Sequence, residues 1–211
     1  MFTNKIFYVL VAIVSLFFIS IGTENVSAQT DTDTVTLTTT IQGYINIEVT
    51  AGDPVAFGNL TPGTPICPAT GVVTTTNTNA ANGYTIGISD GGTSTASSMT
   101  HTDTTTKITD VTNSGTVAAP AVWGTSTGVG ITLFAADTSK TTAQWGTGTT
   151  ACDALNKYAA VPATATTAHT AAGAPKTNDT TSWGFKIDVP NTQKTGAYSG
   201  DVTFTATAVL S

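Results

Sequence analysis

Threonine alternates with apolar residues along much of this chain, and that two-residue rhythm limits what it can fold into. In "VTFTATAVL" (202–210), Val202, Phe204, Ala206, Ala208 and Leu210 fall on one side, and Thr203, Thr205 and Thr207 on the other. This is the period of a strand with one face buried and one face wet. The same rhythm runs through "TVTLTTTI" (34–41), where Val35, Leu37 and Ile41 share a face. It returns in "SWGFKIDVP" (182–190), where Trp183 is in phase with Phe185 and Ile187 and so reads as core. Threonine is β-branched, stiff at χ1 and suited to a pleated surface.

Short segments of this kind recur between turn residues: "YINIEVT" (44–50), "PVAFGNL" (54–60), "GVVTTTN" (71–77), "GYTIGIS" (83–89), "GITLFAAD" (130–137) and "NKYAAVP" (156–162). Asp90-Gly91-Gly92 is a turn signal of the expected type. After the first 28 residues no stretch carries a helical apolar stripe. About eight or nine short strands predict an all-β protein, a single antiparallel β-sandwich that is immunoglobulin-like or Greek-key. The closing strand is expected in the middle of a sheet, because an apolar comb of that length at an edge would invite pairing. Residues 163–181 read as a loop with room for disorder.

The N-terminus has a different character. "MFTNK" contributes Lys5, an apolar run follows from Ile6 to Gly22, and Val26-Ser27-Ala28 offers small residues. These are the parts of a signal peptide, with cleavage expected after Ala28. The apolar run is short for a membrane span, which needs about 20 residues. The expected organisation is a signal peptide over 1–28, as a helix, and a β-sandwich domain over 29–211, secreted or at the cell surface. No stable membrane insertion is expected after cleavage.

Charge narrows the function further. Threonine fills about a quarter of the chain, arginine is absent, and the net charge is −6. Nucleic-acid binding needs cations to replace counterions, so it is not expected. Cys67 and Cys152 form an even pair, which in an exported chain reads as a disulfide; two free thiols or metal ligands are the alternatives. With only His101 and His169 as further soft ligands, no metal or cofactor site is expected. Both histidines sit in polar surroundings that read as loops. No nucleophile elbow or zinc-protease pattern occurs, and the scattered Asp residues show no catalytic spacing, so the chain is not expected to be an enzyme. Trp123 and Trp145 each precede a glycine, and two uses stay open for them: a stacking platform for sugars, or core packing.

Three segments, "VAFGNLTPG" (55–63), "NGYTIGISD" (82–90) and "TGAYSGDVTFTATA" (195–208), together resemble the WxL-domain family of bacterial cell-surface proteins. The resemblance rests on an F-G step at Phe57-Gly58, an internal strand with Tyr84 and Ile86 in the W-x-L positions, and a closing strand with Tyr198 leading to Phe204 and Ala206. Both tryptophans of the family pattern are replaced. The resemblance implies non-covalent association with peptidoglycan. "LFAADTSKTTAQWGTG" (133–148) and "GAYSGDVTF" (196–204) are in turn similar to the spore-coat-protein-U family, although the two cysteines do not follow its pattern. That likeness implies a pilin-related sandwich, secreted and assembled by a chaperone and usher.

The expected function is that of an exported structural or adhesive protein, held non-covalently at the cell envelope by cell-wall polysaccharide or peptidoglycan. A fimbrial or filament subunit is the alternative, its partners copies of itself and its N-terminal "TDTDTVTLTTTI" completing a neighbour's sheet. A carbohydrate-binding module is a further alternative.

Overall fold

The computed structural model describes residues 31–90, 97–111, 115–138, 140–173 and 175–210. The expected signal peptide lies outside the described residues. Residues 31–40 fall in a different unit from Ile41–Ser211, and they are exposed throughout and without a strand. The strand expected over 34–41 is therefore not formed, although its alternation is intact: Val35, Leu37 and Ile41 are 80%, 90% and 83% exposed.

From Ile41 onward the protein is built almost wholly of antiparallel strands, which bears out the all-β expectation. The strands are β1 (Ile45–Ala51), β2 (Val72–Thr78), β3 (Gly83–Ser89), β4 (Ser97–His101), β5 (Lys107–Thr109), β6 (Ala121–Val122), β7 (Gly128–Ala136), β8 (Lys157–Tyr158), β9 (Thr166–Ala172), β10 (Lys176–Asp188), β11 (Tyr198–Ser199) and β12 (Thr203–Ala208). A single helical turn, α1 (Thr142–Trp145), falls between β7 and β8. One sheet has the order β1-β2-β10-β7 and a second β12-β3-β9, while β11-β4-β5 and β6-β8 make two small ones. The short strands β5, β6, β8 and β11 raise the number above the expected eight or nine. "PVAFGNL" is a loop rather than a strand, entered through a cis Asp53–Pro54 peptide.

The inward faces of the two larger sheets share one core. Tyr84, Ile86 and Ile88 of β3 are fully buried, as are Ile131 and Leu133 of β7 and Trp183 of β10. Each sits in the inward phase of its strand, with Thr85 and Gly87 outward, as the period of two requires. Gly83 opens β3 at φ +80, where a side chain would collide with the Ala171 carbonyl.

Three expectations are corrected. Residues 163–181 are no loop: β9 and the start of β10 occupy them. The closing strand is at an edge, since β12 pairs with β3 alone among the described residues. Threonine is not only an exterior residue, for Thr74 and Thr76 of β2 and Thr181 of β10 are fully buried. The Thr74 hydroxyl donates to the Thr181 carbonyl (3.3 Å) and accepts from the Trp183 indole N–H (3.1 Å), so its polar atom is satisfied inside the core.

Candidate functional site: a groove beside the Tyr198 corner

The loop Val55–Pro62 and the loop Gln193–Tyr198 face each other across a groove of about 670 Å³. Met99 of β4, Ile108 of β5 and Ile187 of β10 contribute apolar surface between them, and Phe57, Leu60 and Tyr198 pack onto the same cluster. The first loop is fixed where the Gly63 N–H donates to the Val189 carbonyl (3.1 Å) and where Ile66 and Ile187 exchange backbone hydrogen bonds.

Side chains fix the second loop. The Tyr198 hydroxyl donates to the Lys194 carbonyl (2.8 Å) and accepts from Gln193 Nε2 (2.7 Å), which also donates to the Lys107 carbonyl (3.1 Å). Lys194 Nζ donates to Asp103 Oδ2 at 2.8 Å. Lys194, together with the Thr106 N–H and hydroxyl and the Thr105 N–H, holds the Asp103 carboxyl well below its usual range. His101 Nε2 lies 3.2 Å from the Thr195 carbonyl, and its ring meets Tyr198 edge-on at 4.9 Å. Gly196 passes so close to that ring that a side chain there would overlap His101 Nε2.

A second polar group lies inside the core. The Tyr84 hydroxyl faces Thr76, Thr181 and Asp179, and its pKa is pushed up to about 12 by burial and then by the Asp179 charge. His169 meets Tyr84 edge-on at 6.3 Å, and its pKa is lowered by burial. Thr138 donates to Asp179 Oδ2 at 2.6 Å.

The residues singled out in the sequence divide between these places. Phe57, Gly58 and Tyr198 line the groove. Tyr84 and Ile86 lie in the core, and Phe204 and Ala206 are half-buried beside them, with Ala206 opposite Ile86 and Ala208 opposite Tyr84. Cys67 and Cys152 are joined in a disulfide, their Cα atoms 5.7 Å apart, which settles the alternatives left open for them. Trp123 and Trp145 are not a stacking platform, being 5% and 1% exposed. Trp145 donates its indole N–H to the Ala168 carbonyl (3.0 Å) and meets Trp183 edge-on. Trp123 is packed against Tyr158, with Lys186 Nζ 5.3 Å from its ring centre. His101 and His169 are strand residues and buried, not loop residues in water. Gln193, Lys194 and Asp103 carry no pattern that marks them in the sequence. The four-residue step from Lys194 to Tyr198 is the one local signal of the corner they build.

Together these features define a class: an antiparallel all-β protein cross-linked by a disulfide, as suits an oxidising compartment. No family model, curated protein or solved structure matches the chain. Among the described residues, no helix is long and apolar enough to cross a membrane.

Proposed function

We propose that this chain is an exported structural protein of the cell surface, a single β-sandwich that assembles with copies of itself by strand addition. One observation carries the reading. The segment 34–41 has the alternation of a half-buried strand, yet Val35, Leu37 and Ile41 are almost fully exposed and the segment pairs with no sheet among the described residues. Exposed apolar combs are costly in water, at about 25 cal/mol per Å² of apolar surface. A sheet edge on another molecule removes that cost and satisfies the backbone at the same time. Sparse charge, 9% of the residues, suits close packing of many copies. The disulfide fits export.

Light scattering coupled to size exclusion tests this on the full chain produced with its leader, with negative-stain microscopy of the same fractions. Ordered oligomers that disappear when residues 31–41 are deleted are the expected result. A monomer that is unchanged by the deletion would overturn strand addition.

A second reading has its own observation. Phe57, Gly58 and Tyr198, the positions that resemble the wall-associated family, meet at one groove with Gln193 and Lys194 on its rim. This favours a non-covalent hold on cell-wall polysaccharide or peptidoglycan. Co-sedimentation with purified wall material tests it, and a Phe57→Ala variant that stays folded should bind less.

A further inference from the structure

Polar side chains from both larger sheets meet between them. On β10, Asp179 and Thr181 are buried in the same phase as Trp183 and Phe185. Thr76 of β2 is the register partner of Asp179. From the opposite sheet the Tyr84 hydroxyl of β3 faces these three, and His169 of β9 meets the Tyr84 ring edge-on. All five residues are more than nine-tenths buried. Each keeps a buried polar atom with no hydrogen-bond partner among the described residues: Thr76 Oγ1, Thr181 Oγ1, Tyr84 Oη, Asp179 Oδ1 and His169 Nε2. Two residues away on β2 the opposite holds, for Thr74 Oγ1 donates to the Thr181 carbonyl and accepts from the Trp183 indole. Buried polar groups are satisfied as a rule, and five exceptions in one place point to a guest.

The charge among them decides its kind. Asp179 accepts one hydrogen bond, from Thr138 at 2.6 Å. It has no ion pair among the described residues, where both pairs belong to Asp103. Tyr84 and His169 bring no charge at neutral pH, since burial raises the pKa of the first to about 12 and lowers that of the second. A carboxylate buried alone is costly, and such charges are paired or bind metal ions. Four of the five free atoms are oxygens, three of them on neutral hydroxyls, which suits a hard cation. No three His, Cys, Asp or Glu side chains gather among the described residues, so a transition metal is poorly served. One carboxylate balances one positive charge, whereas a divalent ion would leave a net charge in the core.

We infer that Asp179, Thr76, Thr181 and Tyr84 form a binding site for one monovalent cation such as sodium, with His169 as a neutral neighbour. The ion ties β2 and β10 of one sheet to β3 of the other, so its binding adds to the stability of the fold. Solvent is close. Asp179 follows exposed Asn178, which sits at φ +52 in the bulge that interrupts β10, and half-buried Thr138 borders its other oxygen. The site is independent of either reading of function above. Hydroxyl ligands drawn from three strands leave no spacing in the sequence to mark it.

Thermal unfolding of the full-length chain, produced with its leader, tests the site. Choline chloride is replaced stepwise by sodium chloride at constant ionic strength, so screening stays fixed. The expected result is a saturating rise in Tm, by about 3–6 °C once sodium is tenfold above its dissociation constant. Asp179→Asn keeps the shape of the side chain and an acceptor for Thr138, and it should lose the rise. A parent whose Tm is the same in both salts overturns the site. Equal rises in the parent and in Asp179→Asn put the ion elsewhere and overturn it as well. If Asp179→Asn does not fold, Tyr84→Phe removes one oxygen and should move the midpoint of the sodium titration to higher concentration. An unchanged midpoint in that variant overturns the assignment.

Discussion

The Tyr198 hydroxyl donates a 2.8 Å hydrogen bond to the carbonyl of Lys194, four residues earlier. The bond turns the chain sharply just before the last long strand, and it fixes one wall of the groove. Gln193 donates to the same hydroxyl, so the phenol oxygen is a junction rather than an ornament of the loop. Tyr198→Phe keeps the ring against His101 and removes only the oxygen. The expected loss is about 1 kcal/mol, which lowers Tm by roughly 2–4 °C for a domain of this size. Thermal unfolding followed by circular dichroism checks it. An unchanged Tm would show that the corner is not held by this bond.

The disulfide spans a sequence separation of 85 residues and ties the loop after β1 to the segment after α1. Closing a loop of that length restricts the unfolded chain and stabilises by up to about 4 kcal/mol. The double variant Cys67→Ala, Cys152→Ala should unfold at lower urea concentration than the oxidised parent. The reduced parent should follow the double variant. Equal midpoints for all three would mean the bond adds nothing to stability.

How much of this was legible in the sequence depends on contrast between neighbours. "GYTIGIS" and "SWGFKID" place large apolar residues beside threonine or glycine, and both appear as β3 and the later part of β10. "TTAHTAA" of β9 lacks such contrast, because its inward positions hold no large apolar residue, so a half-buried strand reads as a loop. The burial of Thr74 was hidden for a related reason: its hydroxyl donates to the Thr181 carbonyl on another strand, and pairing at that range leaves no local mark. The tryptophans could not be assigned because what covers them comes from elsewhere in the chain, as Ala168 and Trp183 cover Trp145. The groove was legible only as separate motif residues, since its walls are two loops far apart in sequence.

Burial gives Trp145 a role that a binding residue would not have. Its ring is covered, and its N–H is spent on the β9 backbone. Trp145→Ala leaves a cavity and an unpaired carbonyl at Ala168, a loss of about 3–5 kcal/mol. Folded yield and the urea midpoint should fall together. A variant with parental stability that had lost only sugar binding would contradict the packing described for this residue.

Acid should weaken the fold through His169. The ring is buried, its Nε2 has no hydrogen-bond partner among the described residues, and desolvation lowers its pKa. The charged group facing it is Asp179 on β10, which pulls the other way without cancelling the shift, and Tyr84 on β3 meets its ring edge-on. The sign follows from proton counting. With the folded pKa below the unfolded value of about 6.5, the unfolded chain binds more protons as pH falls through that value. Stability is therefore complete above it, declines below it, and levels off once pH has passed the folded pKa. Urea midpoints measured from about pH 7.5 down to pH 5 should show the decline in the parent. His169→Gln should flatten this part of the profile whatever it does to stability at neutral pH. A variant that keeps the parental slope would assign the acid sensitivity to another group.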